Sequence, residues 1–163
     1  QPKNVFNDDR GYLFESYRDS FFKERLPSIQ FIQENQSESN FGVLRGLHFQ
    51  TPPYEQSKLV RVIKGEIQDV AVDLRKNSKT YKQYMSIILN ENNKKQLFIP
   101  KGFAHGFLVL SSEAIVNYKM DQYYSPDHES GISYNDHQIN IKWQLNDDQM
   151  IISNKDKLLN SYE

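Results

Sequence analysis

The chain has 163 residues, four histidines, no cysteine and a formal net charge of −1. Without cysteine there is no disulfide, no thiolate nucleophile and no Cys-ligated metal, a composition that fits a cytoplasmic protein. The near-neutral charge argues against general nucleic-acid binding, and no apolar run approaches the ~20 residues that span a bilayer.

The length predicts one domain over residues 1–163. The opening Gln1-Pro-Lys-Asn-Val-Phe6 does not read as a signal peptide. Asp19 or Ser20 is placed to cap a short helix over Phe21 to Leu26, which Pro27 stops. Extended segments follow: Gln30 to Asn35, Val43 to Gln50, Leu59 to Ile63, Ile67 to Leu74, Tyr84 to Leu89, Gln96 to Ile99, Phe107 to Leu110 and Ala114 to Tyr118. Turn chemistry separates them at Thr51-Pro-Pro, Lys64-Gly, Lys76-Asn-Ser, Asn90-Glu-Asn-Asn, Pro100-Lys-Gly and Ser111-Ser. Many short strands with frequent turns predict an all-β sandwich or barrel. A jelly-roll barrel is the variety that commonly leaves a ligand cavity in its mouth. Beyond Ser125 the chain is more polar. Ile132, Ile139, Ile141, Trp143, Ile151 and Ile152 are expected to pack along the barrel wall, and Lys155 to Glu163 to form a short helix.

Two histidines sit among apolar and small residues in strand-like sequence: His48 in Gly42-Val-Leu-Arg-Gly-Leu-His-Phe-Gln50 and His105 in Pro100-Lys-Gly-Phe-Ala-His-Gly-Phe107. The glycines beside them permit close approach of backbone or ligand. Period-two alternation assigns faces. Asp69 shares one with Ile67 and Ala71, which makes it a candidate to line a cavity and hold an imidazole in one tautomer. The bland alternative for Asp69 is a solvent-facing carboxylate. Lys58 shares a face with Val60 and Val62, and Tyr118 with Ala114 and Val116. Taken alone, Tyr118 reads as a packed wall aromatic. Arg45 points away from His48 in an ideal strand, and a bulge at Gly46 would bring both toward one ligand. Arg10 and Arg45 are candidates to fork onto a phosphorylated ligand, while each taken alone reads as a surface charge. Pro100-x-Gly-x-x-His105 looks like half of a cupin metal motif. However, His48 is followed two residues later by Gln50 rather than a second histidine, and Val109 stands where the motif has asparagine. No metal and no cofactor are therefore expected.

An ordered set of motifs spans nearly the whole chain. It comprises Asp9-Arg-Gly11, Phe14-Glu-Ser16, Gln33-x-Asn35-x-Ser37, Val43-Leu-Arg-Gly-Leu-His-Phe-Gln50, Lys58-Leu-Val-Arg61, Gly65-Glu-x-x-Asp69-Val-Ala-Val-Asp-Leu-Arg75, Leu97-x-Ile-Pro-x-Gly-Phe-Ala-His-Gly-Phe107, Tyr118-Lys119, Tyr123-Tyr-Ser-Pro126, Asn135-Asp136 and Ser153-x-Lys-Asp156. In these residues the chain resembles the dTDP-4-dehydrorhamnose 3,5-epimerase family. The resemblance implies a cupin-type jelly-roll β-barrel with a few short peripheral helices. It also implies an isomerase acting on a dTDP-linked 4-keto-6-deoxy sugar in dTDP-L-rhamnose synthesis, as a homodimer. It implies His48 as general base with Asp69 as its orienting carboxylate, Tyr118 as general acid, and Lys58 and His105 near the keto oxygen. Ligand contacts implied are Arg10, Glu15, Gln33, Asn35, Arg45, Glu129 and Lys155, with Tyr124 stacking on the nucleotide and Asp156 an acidic residue of the site whose role is open. Family members usually carry a further N-terminal strand before Asp9, so that strand is expected to be truncated here. Tyr134 and Gln144 stand where tryptophan and proline are common. The rival readings are epimerisation at carbon 3 only, a related nucleotide sugar, and a non-catalytic sugar-nucleotide-binding barrel.

Overall fold

A computed structural model of the chain describes Pro2 and residues 4–162. An exposed hairpin comes first, β1 (Phe6–Asp8) and β2 (Gly11–Leu13), followed by α1 (Asp19–Arg25). The body is formed by β3 (Gln33–Asn40), β4 (Val43–Gln50), β5 (Lys58–Lys64), β6 (Glu66–Asp73), β7 (Tyr84–Asn90), β8 (Gln96–Ile99), β9 (Phe103–Val109) and β10 (Glu113–Met120). Short pieces close the chain: β11 (Glu129–Gly131), β12 (Ile151–Ile152) and α2 (Asn154–Lys157).

The strands form two facing sheets. One has the order β3-β10-β5-β8; the other has the order β11-β4-β9-β6-β7, with β12 pairing β4 in parallel. Between them lies the main core, Val60 and Val62 from β5, Val116 from β10 and Ile99 from β8, against Ile67, Leu89, Phe107 and Val109 of the other sheet. This is the cupin-type jelly roll, with little helix outside it.

Strand β6 shows why the larger sheet stays buried on both sides. Ile67 and Ala71 join the core between the sheets, whereas Val70 and Val72 face outward into a second cluster. Leu47, Ala104, Ile132 and Ile139 complete that cluster, with Ile141, Trp143 and Tyr162 packed on it. A strand covered on both faces carries apolar residues on each, as Val70-Ala-Val72 of β6 does, with Gln68, Asp69 and Asp73 buried among them. The tail thus packs along the barrel wall as its isoleucines suggest, except that Ile151 is 58% exposed.

Other elements differ in extent. The helix expected over Lys155 to Glu163 is the single turn of α2, and Glu163 itself lies outside the described residues. The strand expected over Gln30 to Asn35 runs instead from Gln33 to Asn40. Its sequence, Gln-Glu-Asn-Gln-Ser-Glu-Ser-Asn, carries no apolar alternation. Alternation is present in burial all the same: Gln33, Asn35, Ser37 and Ser39 are covered to some degree, while the residues between them are exposed. The inward face of β3 is polar because Ser37 lines a cavity and Gln33, Asn35 and Ser39 hydrogen-bond to neighbours rather than joining the core. Strand β9 starts at Phe103 rather than Phe107, which puts His105 inside a strand.

Candidate active site

The barrel encloses a cavity of about 490 Å³ between its two sheets. His48 and His105 enter from one wall, Lys58 and Tyr118 from the other, and Arg45, Lys155 and Asp156 complete the lining. Strand register explains how they meet. His48 on β4 pairs directly with His105 on β9, so the two imidazoles are neighbours. On the facing sheet Tyr118 pairs with Val60, and Met120 with Lys58. Lys58 and Tyr118 therefore project on the same face as the core valines.

Between Arg45 and His48 the pairing with β9 slips by one residue. Gly46 sits in this bulge with φ of +119°. A side chain there would be driven to 2.6 Å from the Gly106 Cα and 2.7 Å from the His105 carbonyl oxygen, so glycine is required by both conformation and space. The extra residue turns Arg45 and His48 toward the same cavity. Arg45 donates from Nε to Ser39 Oγ at 2.9 Å, which leaves most of its guanidinium donors free for an anion.

Each imidazole has a carboxylate, but not in the pairing expected from the sequence. Asp69 Oδ1 meets His105 Nε2 at 2.7 Å. Asp156 Oδ1 meets His48 Nε2 at 2.7 Å. The correction follows from sheet order. Asp69 on β6 lies one strand from His105 but two strands from His48, and each strand step adds ~4.8 Å. Asp156 reaches His48 from the tail, where Ser153 Oγ caps its backbone N–H at 3.1 Å and the Gly46 N–H donates to its second oxygen at 3.3 Å. Asp156 is 4% exposed and Asp69 fully buried. The Ser153-x-x-Asp156 spacing was the available sequence signal for a capped turn presenting this acid.

Burial pushes the His105 imidazole below its usual range, against the pull of Asp69, with Lys58 and His48 adding to the depression. Desolvation lowers Lys58 to about 8, although the charges of Asp69 and Glu129 partly offset it. The second Asp69 oxygen, Oδ2, has no hydrogen-bond partner among the described residues. Ser37 Oγ is likewise buried without one, beside the cavity it lines. Ser37 and Ser153 are cavity residues that the sequence reading did not single out; the period-two run Gln33-x-Asn35-x-Ser37 contained the first of them.

A polar cluster forms the rim. Tyr124 Oη and Lys155 Nζ both donate to Glu129 Oε2, each at 2.6 Å. Burial opposes ionisation of Glu129, but these two bonds and the lysine charge outweigh it and hold the carboxyl below its usual range. Tyr124 is half exposed, and its backbone N–H donates to Gln33 Oε1 at 3.0 Å. Gln33 in turn donates to Asn35 Oδ1 at 3.1 Å. These five residues are thus linked in one cluster, which meets the cavity at Lys155. Arg10 and Glu15 are not brought to it: they do not line the cavity, and each is paired locally, with Asp8 and Arg18. Among the described residues no three His, Asp or Glu side chains are arranged to hold a metal ion.

This is a jelly-roll protein whose cavity is lined by two carboxylate-bound imidazoles, a lysine and a tyrosine, with Arg45 and Lys155 among its walls. The model of the dTDP-4-dehydrorhamnose 3,5-epimerase family matches residues 2–163. The epimerase of Methanothermobacter thermautotrophicus is 52% identical over 154 residues, 94% of this chain and 83% of that one. The epimerase of Escherichia coli is 48% identical over 156 residues, 95% and 84% of the two chains. Among solved structures, the Legionella pneumophila epimerase in complex with dTDP-4-keto-L-rhamnose superposes with a TM-score of 0.93 at 45% identity, covering 98% of this chain and 84% of that one. The chain belongs to the dTDP-4-dehydrorhamnose 3,5-epimerase family.

Proposed function

We propose that this protein inverts carbons 3 and 5 of dTDP-4-keto-6-deoxy-D-glucose, giving dTDP-4-keto-L-rhamnose for dTDP-L-rhamnose synthesis. The observation that carries the reading is the placement of a carboxylate-bound imidazole and a phenol on facing walls of one cavity.

The ketone at carbon 4 acidifies the protons on its neighbours. Removing one as a proton leaves an enolate, and returning a proton to the opposite face inverts the centre. His48 takes the proton. Its Nε2 is engaged with Asp156, which stabilises the imidazolium as it forms. Tyr118 returns a proton from the facing wall. Lys58, with His105 beside it, supplies positive charge where the enolate oxygen develops, an effect worth ~3–4 kcal/mol in a water-excluded site. Each step only moves a proton, so electrons balance without an oxidant. The diphosphate is assigned to Arg45 and Lys155, the latter in the mouth cluster with Glu129, and the base to a stack on Tyr124.

Arg10 and Glu15 act in this reading from a partner copy. They lie beside the hairpin whose Phe6, Tyr12 and Leu13 are 64%, 56% and 73% exposed, an apolar surface suited to a homodimer contact. The protein works as a single domain in the cytoplasm, and the absence of cysteine fits that compartment.

Incubating the protein with dTDP-4-keto-6-deoxy-D-glucose in deuterium oxide tests the assignment. Deuterium should enter at both carbon 3 and carbon 5. No exchange would defeat it. Exchange at carbon 3 alone would assign single epimerisation, the activity of a Streptomyces bikiniensis 3'-monoepimerase with a TM-score of 0.91 and 25% identity to this chain, covering 99% of it and 81% of the relative.

A further inference from the structure

We infer that Asp136 is a positioning residue for the His48 base: it anchors the segment after α2 and so holds Asp156 against the imidazole. This rests on the reading of His48 as the proton acceptor.

Helix α2 has four residues, too few to hold a shape unaided, and it must be fixed from both ends. Upstream, β12 pairs with Val43 and Leu44 of β4, and Ile151 N–H donates to the Gly42 carbonyl at 2.8 Å. Downstream, the chain runs past β11. The Leu159 side chain lies so close to Gly131 that a Cβ there would meet it at 2.7 Å, and Gly131 pairs with His48 itself. The Asn160 carbonyl accepts from Ser133 N–H at 2.9 Å. The segment then ends on Asp136. One carboxylate oxygen accepts from the Gln138 and Ile139 N–H groups at 2.8 and 2.9 Å, and the other accepts from Tyr162 N–H at 2.7 Å. Lys82 adds a bond from Nζ to the Tyr162 carbonyl at 3.3 Å.

Asp136 is 2% exposed, with both oxygens used. One oxygen would suffice to close the 136–139 turn. The other reaches 26 residues along the chain to the segment that carries Asp156. Asp136 touches neither the cavity nor His48, so any effect it has on chemistry travels through that segment.

Asp136→Asn separates the two duties. The amide oxygen can still accept from Gln138 and Ile139, while the amide nitrogen presents a donor to the Tyr162 N–H. The expected result is a folded protein with kcat lowered ~10- to 100-fold, the scale of a small misplacement of catalytic groups, and KM little changed. The ¹⁵N resonance of the His48 ring should move in the direction seen in Asp156→Asn. The double variant should be no slower than Asp156→Asn alone, because two residues acting through one contact are not additive. Wild-type kcat in Asp136→Asn, or losses that multiply in the double variant, would overturn the inference. So would a lowered melting temperature with the His48 resonance unmoved. Should Asp136→Asn not fold, Lys82→Met loosens the same anchor from outside; it should shift the resonance in the same direction, and an unmoved resonance there counts equally against. The resonance requires no substrate, so a wild-type protein lacking epimerase activity would refute the proposed function and leave this test intact.

Discussion

Replacing Asp156 by asparagine separates the observed pairing of the site from the one its sequence suggests. The carboxylate accepts from His48 Nε2 at 2.7 Å and from Gly46 N–H at 3.3 Å. An amide cannot do both: one orientation sets its N–H₂ against the Gly46 N–H, and the other donates to Nε2 and forces the ring proton onto the nitrogen that must act as base. Losing a hydrogen bond to a charged group costs ~1.5–3 kcal/mol, or roughly 10- to 150-fold in rate. The wrong tautomer adds to this, costing up to ~10⁴-fold where an aspartate orients a catalytic histidine elsewhere. Asp156→Asn should therefore lower kcat by about 10²–10³-fold, with KM close to wild type, because the cations at the mouth are untouched. The assay is deuterium entry at carbons 3 and 5 by NMR, normalised to folded protein. A loss below about threefold, on a scale where 1.4 kcal/mol is tenfold, would refute the assigned partnership, most clearly if Asp69→Asn then abolished exchange in its place.

Further outcomes follow from the same geometry. Lys58→Met should lower kcat about 10²–10³-fold by removing charge from the enolate oxygen. In the wild type, kcat should fall as pH rises through about 8, where the Lys58 ammonium loses its proton. Stability should move the other way. The unfolded lysine keeps its proton to ~10.4, so between these values the unfolded state binds more protons and the folded state gains stability with rising pH; denaturant titrations at stepped pH, compared with Lys58→Met, check the sign. Tyr118→Phe should still exchange protons at carbon 3 with solvent but yield little inverted product, and equal loss of ligand affinity and turnover would count against its role as acid. Gly46→Ala should cost about 2–4 kcal/mol, since its Cβ meets backbone that cannot yield and its φ is left-handed; a melting temperature within error of wild type would show that the bulge is not what aligns Arg45 with His48.

Much of this architecture is legible in the sequence, and the exceptions share a cause. Strands such as β5 and β6 announce themselves because their alternating faces meet core: Val60 with Val62, Ile67 with Ala71. Strand β3 is hidden because its inward face, Gln33 to Ser39, is polar, with Ser37 on the cavity. Period two puts Asp69 on one face with Ile67 and Ala71 and leaves an inward or solvent-facing aim open; the structure buries it. Its partner does not follow from period two either, because that depends on the order β4-β9-β6, which places His105 between Asp69 and His48. Asp156 is 108 residues from His48, and no local pattern joins them; the parallel pairing of β12 with β4 and the contacts of the segment after α2 bring the tail to that wall. Arg10 and Glu15 belong to the recognised motifs yet stand clear of the cavity, each held in a local ion pair, because membership of an ordered motif does not by itself place a side chain in a pocket.

The most direct test is a crystal structure with dTDP-4-keto-L-rhamnose bound. The His48 ring and the Tyr118 hydroxyl should lie on opposite faces of the sugar, each within ~3.5 Å of a carbon beside the ketone, with the Lys58 ammonium at the carbonyl oxygen. A sugar lying with both His48 and Tyr118 on one face, or bound outside the barrel, would contradict inversion by these residues.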